Sequence, residues 1–163
     1  MVWETPAVVT ADETEQWPAA LVDEYTERYW TLVRMATMLL GSRAEAEEVT
    51  QDAFMATARA WARVRDVRPY VRRAVMNGAT GVLRRRSVAA RYRVDAPPAD
   101  APPQLVELRD VLLALPERQR TVLVLRFVED LPDHEIAALL GCREATVRSL
   151  SARGLAAIRK ELT

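Results

Sequence analysis

Residues 95–103 read "DAPPADAPP", with four prolines in nine positions and no apolar side chain larger than alanine. Proline lacks a backbone N–H and holds φ at about −65°, so neither a helix nor an inner strand can run through such a stretch. The chain must therefore fold on either side of it. The composition of residues 91–104 predicts an extended, partly stiff linker, and at about 3.1 Å per residue the segment 88–104 reaches roughly 50 Å when fully drawn out.

Both flanks read as helical. Only 5 of the 163 residues are glycine, while alanine, leucine, arginine and glutamate are frequent, a balance that favours helix over strand. The expected fold class is all-α, with two small helical domains over residues 20–90 and 105–163, the linker between them, and a flexible N-terminal extension over residues 1–19. Val22, Tyr25, Tyr29, Leu32, Val33, Ala36, Leu39 and Leu40 recur at three- and four-residue spacing, and Gly41 stops that helix. Ser42 and Glu45 have capping-box spacing and open a second helix carrying Ala46, Val49, Ala53, Ala60, Trp61 and Val64. A third is expected to start at Pro69 and run to Arg86. Beyond the linker, Leu105, Leu108, Leu112 and Leu115 line one helix, and Pro116 begins another with 122–128 as its apolar body. The helices 132–140 and 146–160 then flank Gly141, the pattern of a helix-turn-helix.

The formal net charge of zero hides a polarised molecule. Residues 1–58 hold eleven acids and three arginines, a net −8; residues 59–93 hold eleven arginines against Asp66 alone, a net +10. An arginine band of that density suits phosphates, and an acidic band suits a basic protein surface. Cys142 stands alone, so no internal disulfide can form and a reducing cytoplasm is expected. The acidic N-terminal stretch has neither a basic start nor a long apolar run and is not expected to be a signal peptide; no membrane span is expected either. His134, the only histidine, has no second ligand at metal spacing and is expected at the surface. Gly-rich phosphate loops, nucleophile–base sets and metal clusters are missing from the sequence, so neither an enzyme nor a cofactor or metal is expected.

Three constellations carry the functional reading. Glu48, Gln51 and Asp52 fall at i, i+3 and i+4 and share a helix face, which is either a solvated acidic surface or a contact for a basic coiled coil. Separating DNA strands needs phosphate anchors, an aromatic wall and an amide to hold an unstacked base, and Tyr70, Arg72, Arg73, Asn77 and Arg84 supply those groups. Tyr70 and Trp61 serve equally well as core residues. In the helix after Gly141, Arg148, Ser149 and Arg153 have the chemistry for major-groove edges and phosphates.

The segment "LPERQRTVLVLRFVEDLPDHEIAALLGCREATVRSLSARGLAAIRKEL" resembles region four of the extracytoplasmic-function group of bacterial sigma factors. "GSRAEAEEVTQDAFMATARAW" resembles the polymerase-binding helix of their region two, and "YVRRAVMNGATGVLRRR" its promoter-melting helix, with Asn77 where that family carries an asparagine. The resemblance covers about residues 20–163 and is closest to the small actinobacterial SigE-type members. It implies a non-enzymatic initiation factor whose partners are core RNA polymerase, through the largest-subunit clamp helices and the flap, and promoter DNA; it also admits an anti-sigma factor. On it, Glu48, Gln51 and Asp52 meet the clamp, while Tyr70, Arg72, Arg73, Asn77 and Arg84 meet the minus-ten element. Arg148, Ser149 and Arg153 meet the minus-thirty-five element, with Arg126 on its backbone. Two positions depart from the family: Leu150 stands where a polar or basic residue is usual, and Ser151 where an aliphatic is buried. That exchange leaves the DNA-facing side of the helix open. A stand-alone helix-turn-helix regulator and a degenerate sigma that only occupies polymerase are the alternative readings.

Overall fold

The computed structural model describes residues 17–90 and 103–161, with side chains over 17–87 and 109–161. All regular elements among them are helical: α1 (Ala19–Leu40), α2 (Arg43–Arg59), a 3-10 turn (Trp61–Arg63), α3 (Val67–Ala90), α4 (Pro103–Ala114), α5 (Glu117–Phe127), α6 (Asp133–Leu140) and α7 (Glu144–Glu161). The all-α expectation holds. The expected linker lies for the most part outside the described residues, as does most of the N-terminal extension.

Helix α1 ends where Gly41 takes φ 76°, a left-handed conformation that an L side chain resists, and its N–H returns to the Thr37 carbonyl. The turn is tight enough that a Cβ on Gly41 would lie 2.7 Å from Leu113 of α4. Ser42 then caps α2 by accepting from the Glu45 N–H, but the box is only half made. The Glu45 carboxylate turns instead to Arg86 of α3, whose guanidinium also donates to the last carbonyls of α1 at Leu40, 2.7 Å away. Helix α2 stops at Arg59, and Trp61 falls in the 3-10 turn that follows, earlier than the expected run through Val64.

Helix α1 is the spine. It packs against α2 and α3 on one side and against α4 and α5 on the other. Tyr29, Phe54, Leu32, Leu39, Val71 and Val75 are buried in the first helical group. Trp17 closes its end, stacked on Phe54 with centroids 6.1 Å apart and edge-on to Tyr25 at 5.7 Å. Trp17 falls within the extension expected over residues 1–19, yet it packs here, because an indole gains more from this aromatic nest than from water. The Tyr25 hydroxyl has no hydrogen-bond partner, and burial, followed by the neighbouring Tyr29, pushes its pKa up to about 12.

The apolar core does not stop at the boundary between the halves. Val122, Val124, Leu125, Leu131, Ile136, Val147 and Leu150 continue the same buried cluster, and a smaller one forms around Leu112, Leu115 and Leu123. An ion pair is set into this seam. One Nη of Arg28 on α1 donates to both carboxylate oxygens of Glu129, at 2.7 and 2.9 Å, and the Glu129 side chain is 0% exposed. The chain presents Glu129 there by turning at Asp130, whose φ of 50° is one an Asp tolerates, while the Glu129 N–H returns to Val124.

Breaking a buried pair from one side strands the other charge. Glu129→Ala is expected to cost about 3 kcal/mol in urea unfolding, the low end for such pairs because Arg28 keeps some contact with water. Replacing both, Arg28→Met with Glu129→Leu, is expected to recover most of that loss. Equal stability of Glu129→Ala and wild type would mean the seam is held by apolar packing alone.

Candidate polymerase and promoter interfaces

Helix α2 divides the three residues expected on one face. Glu48 and Asp52 are exposed and edge a groove of about 330 Å3 shared with Glu45, Val49, Val82, Arg85 and Arg86. Gln51 is half-buried and turns the other way, donating from Nε2 to the Tyr29 hydroxyl at 3.2 Å. That bond opposes the burial that pushes the Tyr29 pKa up. Gln51 thus ties α2 to α1, and the outward acidic surface is Glu48 with Asp52.

Helix α3 splits the melting set in the same manner. Tyr70, Arg73, Asn77 and Arg84 are all exposed, and their spacing of three, four and seven residues puts them on one stripe of a helix with 3.6 residues per turn. Trp61 packs, half-buried, against the core, so of the two aromatics it is Tyr70 that stays in reach of a ligand. Arg72 departs from the expectation. It is 8% exposed, turns inward from that stripe toward α6, and donates to Glu135 of α6 at 3.1 Å. Helical geometry forces this, since adjacent residues point about 100° apart and Arg73 already occupies the outer stripe. Around that junction lie two cavities: one of about 640 Å3 edged by Asp23, Glu24, Glu27, Asp66 and Arg68, and one of about 460 Å3 edged by Arg63, Arg65, Tyr70 and Arg73.

In the second half, α6 ends at Gly141, whose φ of 60° is left-handed with open space around it, so the turn needs glycine for its backbone alone. Cys142 packs half-buried beside it, and His134 is exposed. Helix α7 buries Val147, Leu150, Ser151 and Gly154 and leaves Arg148, Ser149 and Arg153 exposed. Leu150 and Ser151 both lie within the buried arc, and the three expected DNA contacts share the open side. Arg126 of α5 donates to the buried Ser151 hydroxyl at 2.8 Å and pairs with Asp133, the first residue of α6. Arg148 lies 3.6 Å from Glu144 and 4.0 Å from Asp133. Sequence reasoning passed over Asp133, Glu129 and Glu135 as functional partners; each is an acid within seven residues of another, which in sequence looks like a solvated surface.

A helix-turn-helix joined to a second helical unit with an exposed Arg/Asn/Tyr stripe defines a class of DNA-engaging protein. Comparison with known proteins narrows it. Residues 105–158 match the family model "Sigma-70, region 4". The chain is 35% identical to the RNA polymerase sigma-E factor of Streptomyces coelicolor over 86% of its own length and 85% of the relative's, and 34% identical to that of Streptomyces avermitilis over 86% and 84%. Its fold matches the sigma factor RpoE solved with the anti-sigma factor NepR from Bartonella quintana, with a TM-score of 0.77 at 20% identity, covering 86% of this chain and 95% of that one. The chain belongs to the RNA polymerase sigma factors, in their extracytoplasmic-function group.

Glu48→Lys with Asp52→Lys sets like charge against any basic partner of α2 and is expected to lower affinity for core RNA polymerase at least about tenfold. Circular dichroism checks that the variant folds. Unchanged affinity in a folded double variant would remove α2 from the polymerase contact.

Proposed function

We propose that this chain binds core RNA polymerase through α2, carries it to a restricted set of promoters and helps open them, acting in the cytoplasm with no chemistry of its own. The observation that carries this reading is the span of the likeness to the sigma-E factors. It runs through both helical groups, whereas a stand-alone helix-turn-helix regulator would share only residues 105–163 with them. Within the reading, residues 20–90 act as region two, 91–104 as the linker and 105–163 as region four. Glu48 and Asp52 meet the clamp helices, with Gln51 holding their helix on α1. Tyr70, Arg73, Asn77 and Arg84 grip and hold the melted minus-ten strand, while Arg148, Ser149 and Arg153 read the minus-thirty-five element with Arg126 on its backbone.

Electrostatics favour a factor that is silent by itself. Arg72 is paired with Glu135, Arg126 with Asp133, and Arg148 with Glu144, so DNA must displace or reorganise carboxylates before it meets those cations. Distance points the same way. Elements some 25 base pairs apart are separated by roughly 85 Å of duplex at 3.4 Å per base pair. Two helical groups packed on α1 cannot touch both, so the groups part on the promoter. The 12 residues between Ala90 and Pro103, with roughly 37 Å of reach at about 3.1 Å per residue, supply the slack, and joining two weak contacts on one chain supplies the affinity. The solved structural neighbours are complexes, the sigma factor RpoE with the anti-sigma factor NepR and CnrH with the cytosolic domain of CnrY, which makes an inhibitor of the NepR type the partner to seek for this chain.

Promoter retention and permanganate reactivity, measured with and without core enzyme, test the reading. Wild type is expected to protect DNA only with core present. Arg148→Ala or Arg153→Ala is expected to weaken retention by about 1–3 kcal/mol for a bidentate base contact, whereas Asn77→Ala is expected to retain DNA and leave its thymines unreactive. A footprint of equal extent from the protein alone would favour the regulator, and normal melting by Asn77→Ala would overturn the division of labour between the two helical groups.

A further inference from the structure

Ser151 is 1% exposed, in an arc of α7 otherwise formed by Val147, Leu150 and Gly154. A hydroxyl taken out of water into an apolar seam is costly unless it is bonded. Its partner is Arg126, whose Nη1 donates to Oγ at 2.8 Å while Nη2 pairs with Oδ1 of Asp133. The other oxygen of Asp133 faces Arg148 Nη1 at 4.0 Å. One chain of polar contacts thus links three helices: Ser151 on α7, Arg126 on α5, Asp133 on α6, and back to Arg148 on α7. Arg126 keeps 28% of its side chain exposed and Arg148 keeps 60%, so each guanidinium is held at one edge and open at another.

We infer that Ser151 and Asp133 are positioning residues for promoter recognition: Ser151 sets the plane of the Arg126 guanidinium, and Asp133, lying between the two arginines, fixes their spacing at the DNA edge. The inference rests on the proposed roles of Arg126 and Arg148. Asp133 has a second effect. A carboxylate beside two DNA-facing cations lowers their attraction for any phosphate, so it trades general affinity for discrimination. It also suits the first turn of α6, where the helix dipole favours an acid.

The two residues are expected to fail in opposite directions. Holoenzyme assembled with core RNA polymerase is measured on a duplex selected by the wild-type holoenzyme from random DNA, and on the same duplex with its upstream element scrambled. Ser151→Ala removes only the hydroxyl. It is expected to lower affinity for the selected duplex about threefold to tenfold and to reduce the slope of log K against log salt by about one, as the loss of one phosphate contact does. Ser151→Thr keeps the hydroxyl and is expected to restore both. Asp133→Asn keeps an acceptor but removes the charge. It is expected to bind the scrambled duplex several-fold more tightly, with a smaller ratio between the two duplexes. A merely structural serine would lower the melting temperature without changing the salt slope. A wild-type slope and ratio in Ser151→Ala, or no gain on scrambled DNA in Asp133→Asn, overturns the inference. If wild type forms no core-dependent complex at all, the sigma reading itself has failed, and this inference with it.

Discussion

The Arg28–Glu129 pair, set into a continuous apolar seam, decides what the rest of the molecule can do. With Glu129 fully buried, the carboxylate keeps its charge at tolerable cost only while Arg28 stays against it, so the pair fixes where α5 sits on α1. That placement carries α6 onto α3 and brings Glu135 within reach of Arg72. At the C-terminal end of α1, Gly41 lets α4 approach, and Arg120 of α5, buried with its pKa lowered chiefly by desolvation, donates to the Leu113 carbonyl. The two helical groups thus meet along one helix, at Arg28 near its middle and at Gly41 just past its C-terminal end. A charged clasp differs from a purely apolar one because it can be opened by a partner that offers either charge a better site.

The polarised charge map follows the same logic. The arginine band is largely exposed on α3, but three of its members are answered by acids: Arg68 by Glu24 and Glu27, Arg72 by Glu135, and Arg86 by Glu45. These pairs add little stability where they are exposed. Their consequence is that the free chain presents fewer unpaired cations than its sequence suggests, which fits a protein that meets DNA in the company of a polymerase.

Much of this was legible in the sequence because it rests on local rules. Three- and four-residue spacing located the helices, left-handed glycines at 41 and 141 ended two of them, and four of the five residues named for their strand-separating chemistry, Tyr70, Arg73, Asn77 and Arg84, are exposed on α3. What escaped depends on partners distant in the chain. Arg72 sits beside Arg73 and looks equivalent until α6 supplies Glu135. Gln51 looks like part of an acidic face until Tyr29 offers its hydroxyl. Ser151 reads as a departure from the family pattern, yet it is the acceptor for Arg126, a residue of α5. The proline stretch suggested two separate cores, while the buried cluster runs across both groups; a linker limits where a chain can turn but does not stop its two ends from packing together.

Under the proposed function, helical groups clasped in the free chain act apart on a promoter. The most direct measurement is a pulsed electron-spin distance between labels at Ala62→Cys and Ala156→Cys, both exposed positions, in a Cys142→Ala background. It is to be taken on the free protein and again on holoenzyme bound to promoter DNA. A single short distance is expected in the free protein, lengthening by tens of ångströms in the complex, on the scale of the roughly 37 Å that the 12 residues between Ala90 and Pro103 can span. An unchanged distance in a complex that still opens DNA would contradict it.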